Sequence, residues 1–233
     1  MLSVEQFRYG SDNFSYFIYG KRHAMVIDGG AWQEILAFLK SNSLELAIVT
    51  NTHRHFDHTS GNEALLKSTK AQFLDIADYS DDREILIDGE KIFVWRTPGH
   101  TADSACFYTG QSLVSGDTLF NGTIGNCFTG DLKSFYFSIK RLLILPDETI
   151  IYAGHDYVKD SLAFARRLEP DNKDIDNFWT FYDSGHVCST MADERRTNPY
   201  LRFNEEPIIK LLKKRGLPCA TEWERWQSLM SIE

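Results

Sequence analysis

Three histidines and an aspartate fall within the six positions His53-Arg54-His55-Phe56-Asp57-His58. Imidazole nitrogens and carboxylate oxygens are the donors that zinc, iron and manganese take near neutral pH. So dense a run is poorly explained by packing. His53 and His55 stand two apart and can converge on one ion from an extended segment, while Asp57 and His58, past a bend, can face a second. More donors follow short apolar runs, each beside a glycine: His100 in Gly99-His100-Thr101, Asp117 in Gly116-Asp117-Thr118, and His155 in Gly154-His155-Asp156. Loops at strand ends mount reactive groups on a rigid scaffold, and glycine relieves crowding there.

The elements that must carry these donors can be read from periodicity. Strands are expected over residues 14–19, 24–27, 46–49, 72–74, 92–95, 105–108, 112–114 and 149–152, where apolar runs end at glycine or polar turns. Helical spacing marks residues 32–39, 61–67 and 132–145. His23 falls in the turn Gly20-Lys21-Arg22-His23 and is read as solvated. Near Glu169-Pro170-Asp171 the chain turns helical, acidic and aromatic, and further helices are expected over 207–214 and 221–230. The division expected is a layered metal-binding part over residues 1–169 and a helical extension over 170–233.

Composition bounds the rest. The 233 residues carry 25 Lys+Arg against 33 Asp+Glu, a formal charge of -8, with 42% hydrophobic residues. That is a globular balance, and the acidic excess argues against a nucleic-acid partner. No apolar run reaches the roughly 18 residues of a membrane span, and the first residues lack the shape of an export signal. A cytoplasmic setting is therefore expected, with Cys106, Cys127, Cys188 and Cys219 as reduced thiols. Two glycosylation-type triplets, at Asn13 and Asn121, read as chance matches. His186 and the C-terminal aromatics read as packing residues. Oligomeric state is not legible.

The segment from Thr52 to Asn62 resembles the T-H-x-H-x-D-H-x-x-G-N signature of the metallo-β-lactamase superfamily. Pro98-Gly99-His100-Thr101, Gly116-Asp117-Thr118-Leu119-Phe120 and Gly154-His155-Asp156-Tyr157 are similar to its later motifs, in order. Within the superfamily the chain most resembles glyoxalase II, the hydroxyacylglutathione hydrolases, through Phe164 to Pro170 and Asn198-Pro199-Tyr200-Leu201-Arg202. The resemblance implies an α+β fold, an αββα sandwich with a helical C-terminal extension. It implies two divalent cations, zinc first and iron or manganese next. His53, His55 and His100 would hold one, Asp57, His58 and His155 the other, and Asp117 would bridge both beside a hydroxide. Asp57 would also orient that nucleophile. Paired cations acidify bridging water and stabilise an oxyanion. A thiolate leaves readily, since its pKa is about 8.5. The implied substrate is a small-molecule thioester. Related readings are a mononuclear iron persulfide dioxygenase and a lactonase of the same fold.

The substrate side departs from the family. Glyoxalase II enzymes commonly carry a lysine and a tyrosine in the loop that here reads Gly122 to Gly130, and Asn126 and Phe128 stand in their places. Tyr157 and Arg202 match further substrate-side positions. A charge-assisted hydrogen bond contributes about 1.5–3 kcal/mol, roughly 10- to 150-fold in affinity. Asn126→Lys is therefore expected to raise kcat/KM for S-D-lactoylglutathione by about tenfold or more. An unchanged value in steady-state assays would show that this loop does not grip the carrier.

Overall fold

In the segment Asn13–Tyr19 successive side chains take opposite faces of a strand, and both faces are buried. In the computed structural model, which describes residues 1–78 and 80–232, Phe14, Tyr16 and Ile18 enter one core and Phe17 enters another. A strand apolar on both faces belongs inside a stack of layers.

The first described sheet runs β1 (Ser3–Tyr9), β2 (Asn13–Tyr19), β3 (His23–Ile27), β4 (Glu45–Thr50) and β5 (Gln72–Phe73). β1 to β3 are antiparallel, and β4 and β5 join in parallel. The second sheet contains β6 (Arg83–Ile87), β7 (Glu90–Arg96), β8 (Ala105–Tyr108) and β9 (Ser112–Gly116). After the small hairpin of β10 (Leu119–Phe120) and β11 (Thr123–Ile124), β12 (Ile150–Ala153) and β13 (Ser189–Thr190) complete it, in the order β13-β12-β9-β8-β7-β6. β12 lies parallel to β9. The two sheets face each other across a core that includes Tyr16, Met25, Ile27, Ile85, Ile92, Val94, Phe107 and Val114.

Helices cover the outer faces. On the first sheet lie α1 (Trp32–Asn42) and α3 (Asn62–Ser68), and the four-residue α2 (Phe56–Thr59) precedes α3. Ile35, Leu39 and Leu65 pack there against Phe17, Val26 and Val49. On the second sheet lie α4 (Leu132–Leu142), α8 (Glu206–Lys214) and α9 (Glu222–Met230), whose Phe135, Ile139, Leu212 and Trp226 meet Cys106, Leu113 and Ile151. α5 (Val158–Leu168), α6 (Lys173–Phe181) and α7 (Met191–Thr197) complete the described α-helices. The layers are thus αββα. No described helix is long and apolar enough to cross a membrane.

Several boundaries differ from the sequence expectation. The helix from Leu132 stops at Leu142, three residues short of the expected end, and a turn leads to Pro146. The stretch after 170 is not continuous helix: Ser189–Thr190 pairs with β12, and Thr190 then caps α7 in a reciprocal box with Asp193. β1 and β6 were not expected. His23 opens β3 rather than lying solvated in the turn, with Nδ1 2.6 Å from Asp88 Oδ1.

One buried carboxyl ties α7 to the β10–β11 hairpin. Both oxygens of Glu194 accept the Gly122 backbone N–H, at 3.1 and 3.0 Å. Ser189 Oγ donates at 2.7 Å and Asn198 Nδ2 at 2.8 Å. Burial pushes this carboxyl up to about 7, with those donors pulling the other way. Glu194→Ala strands buried donors, each of which costs about 1–3 kcal/mol unpaired. At about 2–4 °C per kcal/mol for a chain of this length, the expected result is a Tm lower by at least about 6 °C in a thermal melt. An unchanged Tm would show that another contact holds the hairpin.

Candidate metal centre

The seven expected donors converge at one rim of the sandwich. β4 delivers His53 and His55 in the loop past Thr50, and α2 presents Asp57 and His58. β7 leads to His100, β9 to Asp117 and β12 to His155. Each sheet supplies part of the set, so the rim exists only where the two sheets meet. His53, His55, His100 and Asp117 form one group of donors and Asp57, His58 and His155 a second, each within 4.8 Å. Asp117 faces both: Oδ2 lies 3.3 Å from His100 Nε2 and 3.5 Å from His155 Nε2, and Oδ1 lies 3.4 Å from His58 Nε2.

The outward nitrogens decide which way the lone pairs point. His58 Nδ1 donates to Asp28 Oδ2 at 2.9 Å, His155 Nδ1 to Asp12 Oδ1 at 2.9 Å, and His100 Nδ1 to the Asn126 carbonyl at 3.0 Å. Thr52 Oγ1 gives its proton to Asp28 Oδ2 at 2.7 Å and so accepts from His53 Nδ1 at 3.0 Å. With the outer protons fixed, the inner nitrogens turn lone pairs toward one another. His58 Nε2 and His155 Nε2, both with their protons held on the far side, stand 3.1 Å apart, while His55 Nδ1 lies 2.9 Å from His53 Nε2 and 3.2 Å from His100 Nε2. Facing lone pairs at that separation repel unless a proton or a metal cation lies between them. Buried Asp117 Oδ1 has no hydrogen-bond donor among the described residues. The donor chemistry and this orphaned oxygen both fit divalent metal ions.

Charge follows the same plan. Burial, with His58 beside it, pushes His53 down to about 3, keeping it a neutral donor. Burial works against ionisation of Asp117, but the His155 and His58 imidazoles beside it outweigh that and hold the carboxyl well below the usual range. Room is made by glycine. A Cβ on Gly154 would come 2.1 Å from Asp117 Oδ1, and one on Gly116, at φ +51, would meet Thr52 at 2.5 Å.

Three supporting residues were missed in the sequence. Asp28 is fully buried, has φ 56, and binds Thr52 N–H as well as Thr52 Oγ1 and His58. Its signal is an aspartate ending an apolar run before Gly29-Gly30, a pattern also met in ordinary turns. Asp12 holds His155, and Asn13 Nδ2 donates to Asp57 Oδ2 at 2.9 Å. Asn13 and Asn121 are 8% and 1% exposed, so neither triplet offers a surface amide.

Of the substrate-side expectations, three lie by the centre. Tyr157 stacks on His155 with centroids 5.0 Å apart, and Phe128 sits edge-on to His100 at 5.1 Å and His55 at 5.8 Å. Asn126 and Tyr157 line a cavity of about 410 Å³ with Phe120, Asp160, Phe164 and Tyr200. Arg202 is not brought there. Its guanidinium closes a two-point pair on Glu169, at 2.8 and 2.9 Å, and donates to the Arg195 carbonyl. Cys127 Sγ stands 3.4 Å from Thr129 Oγ1, and His186 packs against Tyr152. The four cysteines are free.

Similarity to known families falls in two parts of the chain. Residues 8–74 match the model of the metallo-beta-lactamase superfamily, and residues 156–230 match that of the hydroxyacylglutathione hydrolase C-terminus. A hydroxyacylglutathione hydrolase of Chromohalobacter salexigens is 32% identical, over 82% of this chain and 82% of that protein. One from Methylobacillus flagellatus is 33% identical, over 87% and 88%. Among solved structures, ETHE1 from Myxococcus xanthus is similar with a TM-score of 0.70 at 25% identity, covering 97% of this chain and 99% of that one. The BLEG-1 B3 metallo-beta-lactamase is similar in fold, with a TM-score of 0.65 at 22% identity over 85% and 99%.

Asp28 is buried away from the surface, and it orients His58 directly and His53 through Thr52. Loss of such an outer partner typically lowers metal affinity 10- to 100-fold. Asp28→Asn should show a loss of about that size in competition with a chromogenic chelator. Wild-type affinity would mean that the histidines keep their orientation without it.

Proposed function

The chain belongs to the hydroxyacylglutathione hydrolase family of the metallo-β-lactamase superfamily, and we propose that its paired donor groups are the active centre of a metal-dependent thioester hydrolase. The observation that carries this reading is one carboxylate, Asp117, within reach of two converging donor groups, beside a cavity whose Asn126 and Tyr157 touch those donors. His53, His55 and His100 would hold one divalent cation and Asp57, His58 and His155 a second, with Asp117 reaching both. Zinc is the first candidate, and iron or manganese suit the same donors. When bound, such a pair supplies an acidified water and a Lewis acid for a carbonyl oxygen.

The chain's own groups supply orientation. Asp57 is half exposed, and Asn13 fixes its Oδ2, so its carboxylate is placed to accept a hydrogen bond from the attacking water. Phe128 shields the face of the centre formed by His55 and His100. Tyr157 and Asn126 border the space for the thiol-derived half of the substrate. The departing thiolate needs little help from a general acid, since its conjugate thiol has a pKa of about 8.5. We place the metal chemistry in residues 1–169 and part of the substrate wall in 170–233, because Tyr200, Met230 and Ile232 line the cavity. The free cysteines suit a reducing, cytoplasmic setting.

The test combines metal analysis with turnover of S-D-lactoylglutathione and other acyl thioesters on one sample. About two metals per chain and chelator-sensitive hydrolysis are expected. Asp117→Ala should abolish turnover and lower metal content together. Full activity in that variant would refute the assignment. One iron per chain with oxygen uptake and no thioester hydrolysis would replace the hydrolase with a dioxygenase.

A further inference from the structure

The cavity beside the metal centre has a wall of unusual charge for a site that would grip an anionic carrier. It lies next to the donor groups: of its lining residues, Asn126 accepts from His100 through its carbonyl, and Tyr157 stacks on His155. Its lining is aromatic and neutral, apart from one carboxylate, Asp160. No lysine, arginine or histidine lines it among the described residues. The neighbouring guanidiniums have partners of their own. Arg202 is held by Glu169, Arg225 donates to Asn204, and Arg167 lies over the Phe164 ring, 5.2 Å from its centroid. Asp160 itself has no hydrogen bond or ion pair to its side chain among the described residues, so its charge faces the cavity unneutralised.

The rings favour the same sign of ligand. Phe120 meets Tyr157 edge-on at 5.0 Å, and Phe164 stacks on Tyr200 at 6.0 Å. Aromatic faces attract ammonium groups and offer nothing to a carboxylate. A carboxylate placed here would gain no charged donor and would meet Asp160. Losing even one charge-assisted hydrogen bond lowers affinity about tenfold or more.

We propose that this cavity selects acyl thioesters whose thiol-derived half is uncharged or cationic where it meets Asn126, Tyr157 and Asp160, and discriminates against carriers that present carboxylates. The proposal rests on the thioester-hydrolase reading and narrows its substrate class. Recognition would come from amide or hydroxyl groups hydrogen-bonded to Asn126 and Tyr157, with any ammonium set against Asp160 and the rings.

A matched pair of inert ligands isolates the charge. S-methylglutathione and its dimethyl ester share a skeleton and differ in their two carboxylates. Calorimetry on the metal-loaded protein should find the diester at least about tenfold tighter. Equal affinities, tighter binding of the free acid, or no binding of either would overturn the proposal. Asp160 is an exposed position of α5, and Asp160→Lys should invert the preference. A folded Asp160→Lys protein with an unchanged ratio would also overturn it. Turnover of S-D-lactoylglutathione and its dimethyl ester on the same sample reads the underlying chemistry separately. A binding preference without turnover of either thioester would keep the selective wall and discard the hydrolase. Turnover of both without a binding preference would keep the hydrolase and discard the selectivity.

Discussion

The Asp117 carboxylate, buried among imidazoles from both sheets, is the constraint on which the rest depends. A carboxylate with little water around it must be met by positive charge or donors. Here the neighbours are nitrogen lone pairs, fixed inward by hydrogen bonds on their far sides. Those far-side partners come from the β1–β2 turn, the end of β3 and the loop before α4, so the orientation of each imidazole is set by the way the sheets pair. A cation between the rings turns a repulsive arrangement into a bound one, and metal binding is thereby coupled to the closing of the sandwich.

The layered fold suits this task because parallel pairing aligns strand ends. β3 with β4, and β9 with β12, finish together, and the residues just past them are Asp28, the 51–58 loop, Asp117 and His155. Buried cores on both faces of each sheet keep those ends from shifting. The positive φ of Asp28 is the local strain that this packing sustains.

The seven side chains that converge at the rim were legible because they form local patterns: a run of six residues, then single donors beside glycine after apolar runs. The layers were legible because Phe14 to Tyr19 and Leu46 to Val49 are apolar in ways that only buried strands need. Asp12, Asn13 and Asp28 were not, since each is one polar residue in a turn and gains meaning only when pairing brings it to an imidazole. β13 escaped for a similar reason, because two residues carry no periodicity and Ser189–Thr190 is a strand only by virtue of β12. Arg202 shows the converse. A basic residue near a matching stretch looked available for substrate, but Glu169, 33 positions earlier, is its partner. Long-range ion pairs leave no trace in local sequence.

Asn126 serves the molecule through two separable parts. Its backbone carbonyl fixes His100, while its side chain belongs to the cavity wall. Any residue at 126 offers the same carbonyl. Substrate preference can therefore drift by single exchanges at this position while the catalytic centre stays intact, so that a lineage could change its thiol carrier without passing through an inactive ancestor.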